Sequence, residues 1–390
     1  MRALRIGVTL IVPLLVGLFA LGGVPWHPNP VDLEVYRLAG EYLATGRDFY
    51  QLPGDLPFIY PPIAALLAVV LWAIPTWLAQ LLWTVVNTAC VLVVVRRCGV
   101  SGWALPVVAS LAILLLQPVR FTFSLGQVGL LLCALVVADL FGQEAPEHGE
   151  LLPRSAGWRT GLAAALKLTP AVVVPHLLLT RQFRPALVAM ASFVVLTLVG
   201  FLVLPGPSLA FWGGLVGGDT GLGDSIVYAD NQSVLGTTLR VLGVDAKLPG
   251  LAASALVALV GIVAAALWAR RGEAGWAVCL AAFAGLAASP VSWSHHFVWI
   301  LPLLLLAARR NLPTPQVVIA GLLGAWLGTA PWRLLPMGEW AELSYGPGEN
   351  LVASVSALLV IALLVTAVVT GLRTRHLASA FTRESSAVVG

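Results

Sequence analysis

The sequence predicts an all-α, polytopic membrane protein, and three observations carry that prediction. Of 390 residues, 59% are hydrophobic and only 10% are charged, against roughly a quarter charged in ordinary soluble domains. Apolar stretches of about 20 residues recur from end to end, each long enough as a helix to cross a hydrocarbon core about 30 Å thick. Basic residues sit in pairs at the ends of several stretches: Arg2 with Arg5, Arg181 with Arg184, Arg270-Arg271, Arg309-Arg310, and Arg373 with Arg375. A water-exposed surface cannot be built from this inventory.

The positive-inside rule puts those pairs in the cytoplasm. Walking between them gives twelve expected spans, near 5–24, 62–75, 77–95, 104–118, 121–140, 159–180, 186–204, 250–268, 275–289, 291–308, 315–331 and 351–371, with both termini inside. The apolar run from Arg5 to Val24 has no A-x-A cleavage site behind it and reads as an uncleaved first span. Two features fit poorly: Arg96-Arg97 would lie outside, and 62–75 and 104–118 are short for spans. With no repeat of fixed period and no linker, residues 1–390 form one domain. Its outer loops are expected at 25–61, 205–249 and 332–350 and its cytoplasmic tail at 372–390, while 141–158 also falls outside in this count. The outer loops carry much of the Asp, Glu, Asn, Gln, Trp and Tyr, so chemistry is expected on the extracytoplasmic face of the cell membrane.

Other function classes find little support. The net charge of +4 is modest and the basic residues form no stripe with interleaved aromatics, which argues against nucleic acid as a partner. Cys90, Cys98, Cys133 and Cys279 lie within or beside apolar runs, without C-x-x-C spacing or histidine neighbours. They read as small core residues, not as disulfides or a metal site.

Within the first outer loop, Val31, Val35, Leu38, Ala39, Tyr42 and Leu43 recur at helical spacing, predicting a short amphipathic helix at the membrane interface. Asn29 suits its N-cap and Pro30 its first position. Asp32 and Tyr36, four residues apart, then share a face. Asp32 reads either as a carboxylate complementing the helix dipole or as a general base at the lipid boundary, and local pattern does not decide between them. Glu34 lies on the same helix. Downstream, Tyr60 precedes Pro61-Pro62, which can open a span without losing a hydrogen bond.

Lys167 sits inside an apolar segment, where a cation costs about 2.5–3.5 kcal/mol on insertion scales unless it snorkels or meets a cavity or an anion. His295 and His296 mark the outer junction of the ninth and tenth spans. Adjacent side chains diverge on a helix, so one histidine is expected to meet an anion or hydroxyl while the other packs or caps. No third ligand stands nearby to make them a metal site. Asn231 and Gln232 supply polar lining to the second outer loop, and the glycine-rich run 213–218 reads as a mobile lid lacking the residues of a phosphate loop.

Taken together, Val31-Asp32-Leu33-Glu34-Val35-Tyr36 with Gly46 and Tyr50, then Tyr60-Pro61-Pro62, Gly126-Gln127-Val128, Lys167-Leu168-Thr169-Pro170, Asn231-Gln232-Ser233 and Ser289-Pro290-Val291-Ser292-Trp293-Ser294-His295-His296, resemble one family. It is glycosyltransferase family 87, the actinobacterial polyprenol-phosphate-mannose-dependent α-1,2-mannosyltransferases of the GT-C fold. The likeness runs from about residue 30 to 305 and rests on the order of the whole set. It implies a lipid-linked donor, polyprenyl-phosphate-mannose, and a glycolipid acceptor of the phosphatidylinositol mannoside or lipomannan type.

The resemblance further implies Asp32 as catalytic base, attacking hydroxyl and leaving phosphate on opposite faces of the anomeric carbon, and hence inversion. Lys167, His295, His296 and Tyr60 are then expected around the donor phosphate and sugar, with Glu34, Tyr36, Gln127, Asn231 and Gln232 lining the acceptor side. A single lipid phosphate can be neutralised by such side chains, so no metal or other cofactor is expected, and a monomer suffices. A transporter or flippase of lipid-linked sugars would show paired broken helices in two halves, and no such symmetry is seen. A lipid-linked polymer ligase is the other rival, and neither accounts for Asp32 together with Lys167 and His296.

Overall fold

A computed structural model describes residues 2–22, 30–54, 56–141, 156–217 and 226–387. Those residues form seventeen α-helices and several 3₁₀ turns, with one isolated bridge between Asn231 and Trp293. Five helices are long and apolar enough to cross a membrane: Thr76–Arg97, Phe183–Val203, Val244–Ala269, Thr314–Leu334 and Pro347–Arg373. Ala104–Leu115 and Gln117–Leu125 make a sixth if taken together, bent by 79°. The protein is therefore a multi-pass membrane protein, but several of the twelve expected spans are short or broken.

Each departure has a local cause. The expected span 62–75 is the helix Pro62–Trp72, only 11 residues long. It packs on the first-loop helix Val31–Ala44, where a Cβ at Gly40 would stand 2.4 Å from the Ala68 carbonyl oxygen. Arg37 ties the pair by donating to the carbonyl oxygens of Leu71 and Ile74. At 104–125 the bend falls at Leu116, whose φ of −90° and ψ of 106° leave the helical region just before Gln117-Pro118. The proline cannot donate the hydrogen bond that would carry the helix through.

The expected span 159–180 is interrupted at Lys167, which is extended (φ −155°, ψ 130°) between Trp158–Leu166 and the turn and helix Thr169–Leu179. Its two halves run in opposite senses. Gly157, just before the first half, presses on the carbonyl of Pro185 at the start of Phe183–Val203, and Leu179 at the end of the second accepts from Arg270. Both ends thus lie where the basic pairs gather, with Lys167 at the apex. Asp139 anchors the entrance by accepting from Gly157 N at 2.7 Å, Thr160 N at 3.1 Å and Thr160 Oγ1 at 2.8 Å. A carboxylate on orphan N–H groups is what a helix N-terminus requires.

The same contacts correct the assignment of Arg96-Arg97, whereas most of 141–158 lies outside the described residues. Gly99 lies against the Arg309 guanidinium, Arg97 donates to the Phe141 carbonyl, and Arg310 faces Glu273 at 3.9 Å. Arg271 donates to the Thr370 carbonyl. All these basic residues therefore share one end of the bundle, and Phe141 and Gly157, which flank 142–155, lie at that end too. The sequence count went astray by treating Pro62–Trp72 as a crossing, which reversed the sense of everything up to the interrupted segment.

Other expectations fare variously. The residues 213–216 continue the helix Pro205–Val216 with Gly217 as its C-cap, and Gly218 lies outside the described residues. Helix Pro347–Ala387 runs on through most of the expected tail.

Candidate active site

The first-loop helix begins at Val31 with Pro30 as its N-cap residue, while Asn29, the expected cap, lies outside the described residues. The helix buries Leu33, Tyr36, Ala39 and Gly40. That stripe differs from the expected one because the helix packs inward, on Pro62–Trp72 and on the turn after Gln117–Leu125, and Val31 is left exposed. Gly126 makes this approach possible. It has φ +74°, and a Cβ there would stand 2.5 Å from Leu33 Cβ.

Gln127 follows immediately and meets the helix. Its Oε1 lies 3.1 Å from Tyr36 Oη and 3.2 Å from Tyr60 Oη, and the two phenols are 2.8 Å apart. Two hydroxyl protons serve three short contacts, so at most two are hydrogen bonds at once. With Oε1 held by phenols, the amide N–H side of Gln127 is left for Asp32, whose charged form it favours. Burial raises the Asp32 carboxyl from 3.8 to about 6, and the Gln127 hydrogen bond and the charge of Lys167 oppose that rise.

Lys167 reaches the same place from the apex of the interrupted segment. Its Nζ lies 5.1 Å from the Tyr60 ring centroid, a cation–π distance, and 3.0 Å from His296 Nε2. An ammonium only donates, so Nε2 accepts and the imidazole proton resides on Nδ1, which has no partner. Lys167, Thr169 and His296 line one wall of a cavity of about 970 Å³. Arg47, Tyr50, Phe58, Phe211 and Trp293 form other walls, with the rings of Tyr50 and Phe211 stacked at 6.0 Å and 20°.

Of the residues picked from sequence, Asp32, Tyr36, Tyr60, Gln127, Lys167 and His296 form one cluster, of which Lys167 and His296 line the cavity. His295 adjoins His296 with ring centroids 4.5 Å apart, but is buried with neither ring nitrogen paired. Glu34 is 59% exposed and faces Arg37 at 3.6 Å, away from the cluster. Asn231 and Gln232 are fully buried and are not among the residues lining the cavity. Asn231 spends its amide on backbone, accepting from Ser233 N and Ser292 N and donating to Ile226 O and Pro290 O. Among the described residues no three His, Cys, Asp or Glu side chains gather as a metal site.

A second group, buried Asp230, Ser294 and Trp332 with the exposed Arg333, escaped the sequence reading. Ser294 lies 64 positions and Trp332 and Arg333 lie 102 and 103 positions from Asp230, and no periodicity connects them. The one available signal was that Asp230 adjoins Asn231-Gln232-Ser233.

The model of glycosyltransferase family 87 matches residues 58–290, well over half of the chain. The chain belongs to glycosyltransferase family 87. A polyprenol-phosphate-mannose-dependent α-(1-2)-phosphatidylinositol mannoside mannosyltransferase of Mycobacterium tuberculosis strain H37Rv is 32% identical, over 89% of each chain. A protein of the same description from Mycolicibacterium smegmatis is 34% identical, over 87% of this chain and 84% of its own. A polyprenol-phosphate-mannose-dependent α-(1-2)-phosphatidylinositol pentamannoside mannosyltransferase of M. tuberculosis strain CDC 1551 is 30% identical, over 80% and 74%. No solved structure matches. In this family 87 glycosyltransferase the matched stretch includes Tyr60, Gln127 and Lys167, while Asp32 and His296 lie just beyond its ends.

Proposed function

We propose that this glycosyltransferase moves mannose from polyprenyl-phosphate-mannose to a glycolipid of the phosphatidylinositol mannoside or lipomannan type, forming an α-1,2 linkage with inversion. The observation that carries the reading is a buried carboxylate and a cation close enough to act on each other's charge, Asp32 and Lys167, with Lys167 beside Tyr60 and lining the cavity. Asp32 takes the proton of the acceptor hydroxyl as the oxygen attacks the anomeric carbon. The sugar–phosphate bond breaks on the opposite face, and the phosphate leaves with an added negative charge. Lys167, with His296 bonded to it, stabilises that charge. The stacked rings of Tyr50 and Phe211 offer apolar faces to a sugar or to the donor lipid.

The basic end is assigned to the cytoplasm, which puts the cleft on the extracytoplasmic side of the plasma membrane. Every group invoked comes from one chain, so a single copy suffices.

The test is direct. Purified protein given labelled polyprenyl-phosphate-mannose and phosphatidylinositol mannosides should yield an extended glycolipid, separable by chromatography, whose new mannose is released by an α-1,2-mannosidase. Intact donor carried across a vesicle bilayer with no sugar transferred would make the chain a transporter and end this reading.

A further inference from the structure

Asp230 is a buried carboxylate that the proposed chemistry does not use. Its Oδ1 accepts from Trp332 Nε1 at 2.9 Å and from Arg333 Nη1 at 3.1 Å, and its Oδ2 accepts from Ser294 Oγ at 3.0 Å. Ser294 Oγ in turn accepts from Gln117 Nε2 at 3.1 Å, so this hydroxyl has both a donor and an acceptor. Three distant parts of the chain meet at Asp230: the segment 226–233, the 3₁₀ turn Pro331–Leu334, and the turn Ser294–Trp299, whose second and third residues are His295 and His296.

The backbone beside Asp230 is fixed as closely. Gln232 N donates to Ser292 O at 2.8 Å, and Ser292 N donates to Asn231 Oδ1 at 2.8 Å. Arg240 braces the other side by donating to the carbonyl oxygens of Tyr228 and Asn231 at 3.0 and 2.9 Å. Residues 228–232 therefore serve as a template for 290–294. His296 N closes the next turn on Trp293 O at 2.8 Å, and Lys167 is bonded to His296 beyond it. A shift at Ser294 has one short turn in which to be absorbed before it reaches the cation.

The Asp230–Arg333 ion pair, with the arginine side chain 35% exposed, contributes little net stability. A satisfied buried network instead fixes one geometry. We infer that Asp230 is a positioning residue for the transfer reaction, holding His296, and Lys167 through it, at the leaving phosphate by way of Ser294. Trp332 and Arg333 tie that geometry to the third outer loop. The inference rests on the roles given above to Lys167 and His296.

Ser294→Ala tests it most sharply, since it removes one hydroxyl and leaves Asp230 its Trp332 and Arg333 partners. It should lower kcat by about tenfold, with KM for polyprenyl-phosphate-mannose changed by less than about twofold, and Ser294→Thr should restore most of the loss. Asp230→Asn, which leaves Arg333 without its charge partner, should lower kcat further. The deciding comparison is made in a His296→Ala background, where Ser294→Ala should have no further effect, because residues acting through one group are not additive.

Additive losses, or Ser294→Ala at wild-type kcat, would overturn the inference while leaving the mannosyltransferase reading intact. A wild-type protein that transfers no mannose would remove both. If Ser294→Ala melts early, Trp332→Phe, which deletes one N–H and keeps the ring bulk, carries the same comparison.

Discussion

Asp32 occupies a position where a dipole-complementing carboxylate and a general base behave differently. A base must be ionised to take a proton, and burial has brought this carboxyl up to about 6. Donor-saturated kcat/KM for the acceptor should therefore rise about tenfold per pH unit below 6 and level off above it, read from a pH–rate profile. Asp32→Asn should reduce turnover by about 10²–10⁴-fold without unfolding the protein, whereas loss of a dipole contact alone would cost only about 0.3–1 kcal/mol of stability. Glu41 supplies the control on the same helix, since it pairs with Arg47 at 2.6 Å on the surface and Glu41→Gln should transfer normally. An equal loss in the two variants would strip Asp32 of the role. Asp32, Lys167 and His296 were legible in the sequence because each sets a polar group where apolar spacing leads one to expect none. Asp230 was not, because its meaning lies in partners that only the fold assembles.

Between elements, the close approach of the first-loop helix to Gln127 depends on Gly126. Gly126→Ala places a methyl 2.5 Å from Leu33 Cβ at φ +74°, and should cost about 1–3 kcal/mol while moving Asp32 off Gln127. Gly243→Ala has a similar φ of +89° but meets open space away from the cavity, so it should show the backbone cost and keep its kcat. Melting temperatures and turnover of the two variants separate strain from misplacement, and equal turnover would show that the contact does not matter to catalysis. Long uniform apolar runs such as 186–204 and 250–268 were read close to their observed bounds, Phe183–Val203 and Lys247–Ala269. Hydropathy cannot register a 79° bend at Leu116, nor a reversal at Lys167, because both halves of a broken segment are as apolar as an intact one.

For the molecule as a whole, the gathering of basic residues at one end gives a labelling experiment with three sites. In a background with the four buried cysteines replaced, Leu334→Cys, 88% exposed beyond the cleft, should react with a membrane-impermeant thiol reagent in intact cells. Ser101→Cys and Asn311→Cys, exposed beside the basic end, should react only after lysis. Labelling of Ser101→Cys in intact cells would restore the sequence-based placement of Arg96-Arg97 and refute the shared end. Fold class was legible from composition alone, whereas the sense of the early crossings was not, because one misread helix inverts the assignments after it until a second irregular segment restores them.

The interrupted segment also bears on how the molecule is made. A helix of 9 residues, Trp158–Leu166, reaches only about 14 Å, less than half the hydrocarbon thickness of about 30 Å. Followed by a lysine, it is a poor substrate for insertion on its own during synthesis. Its anchor, Asp139, has already emerged when it is translated, but Phe183–Val203, on which Gly157 packs, and the turn bearing His296 are made later. Lys167 thus finds Asp32 and Tyr60 already made but waits for His296 until about three quarters of the chain has been synthesised, so the cluster is expected to close only after most crossings are in place.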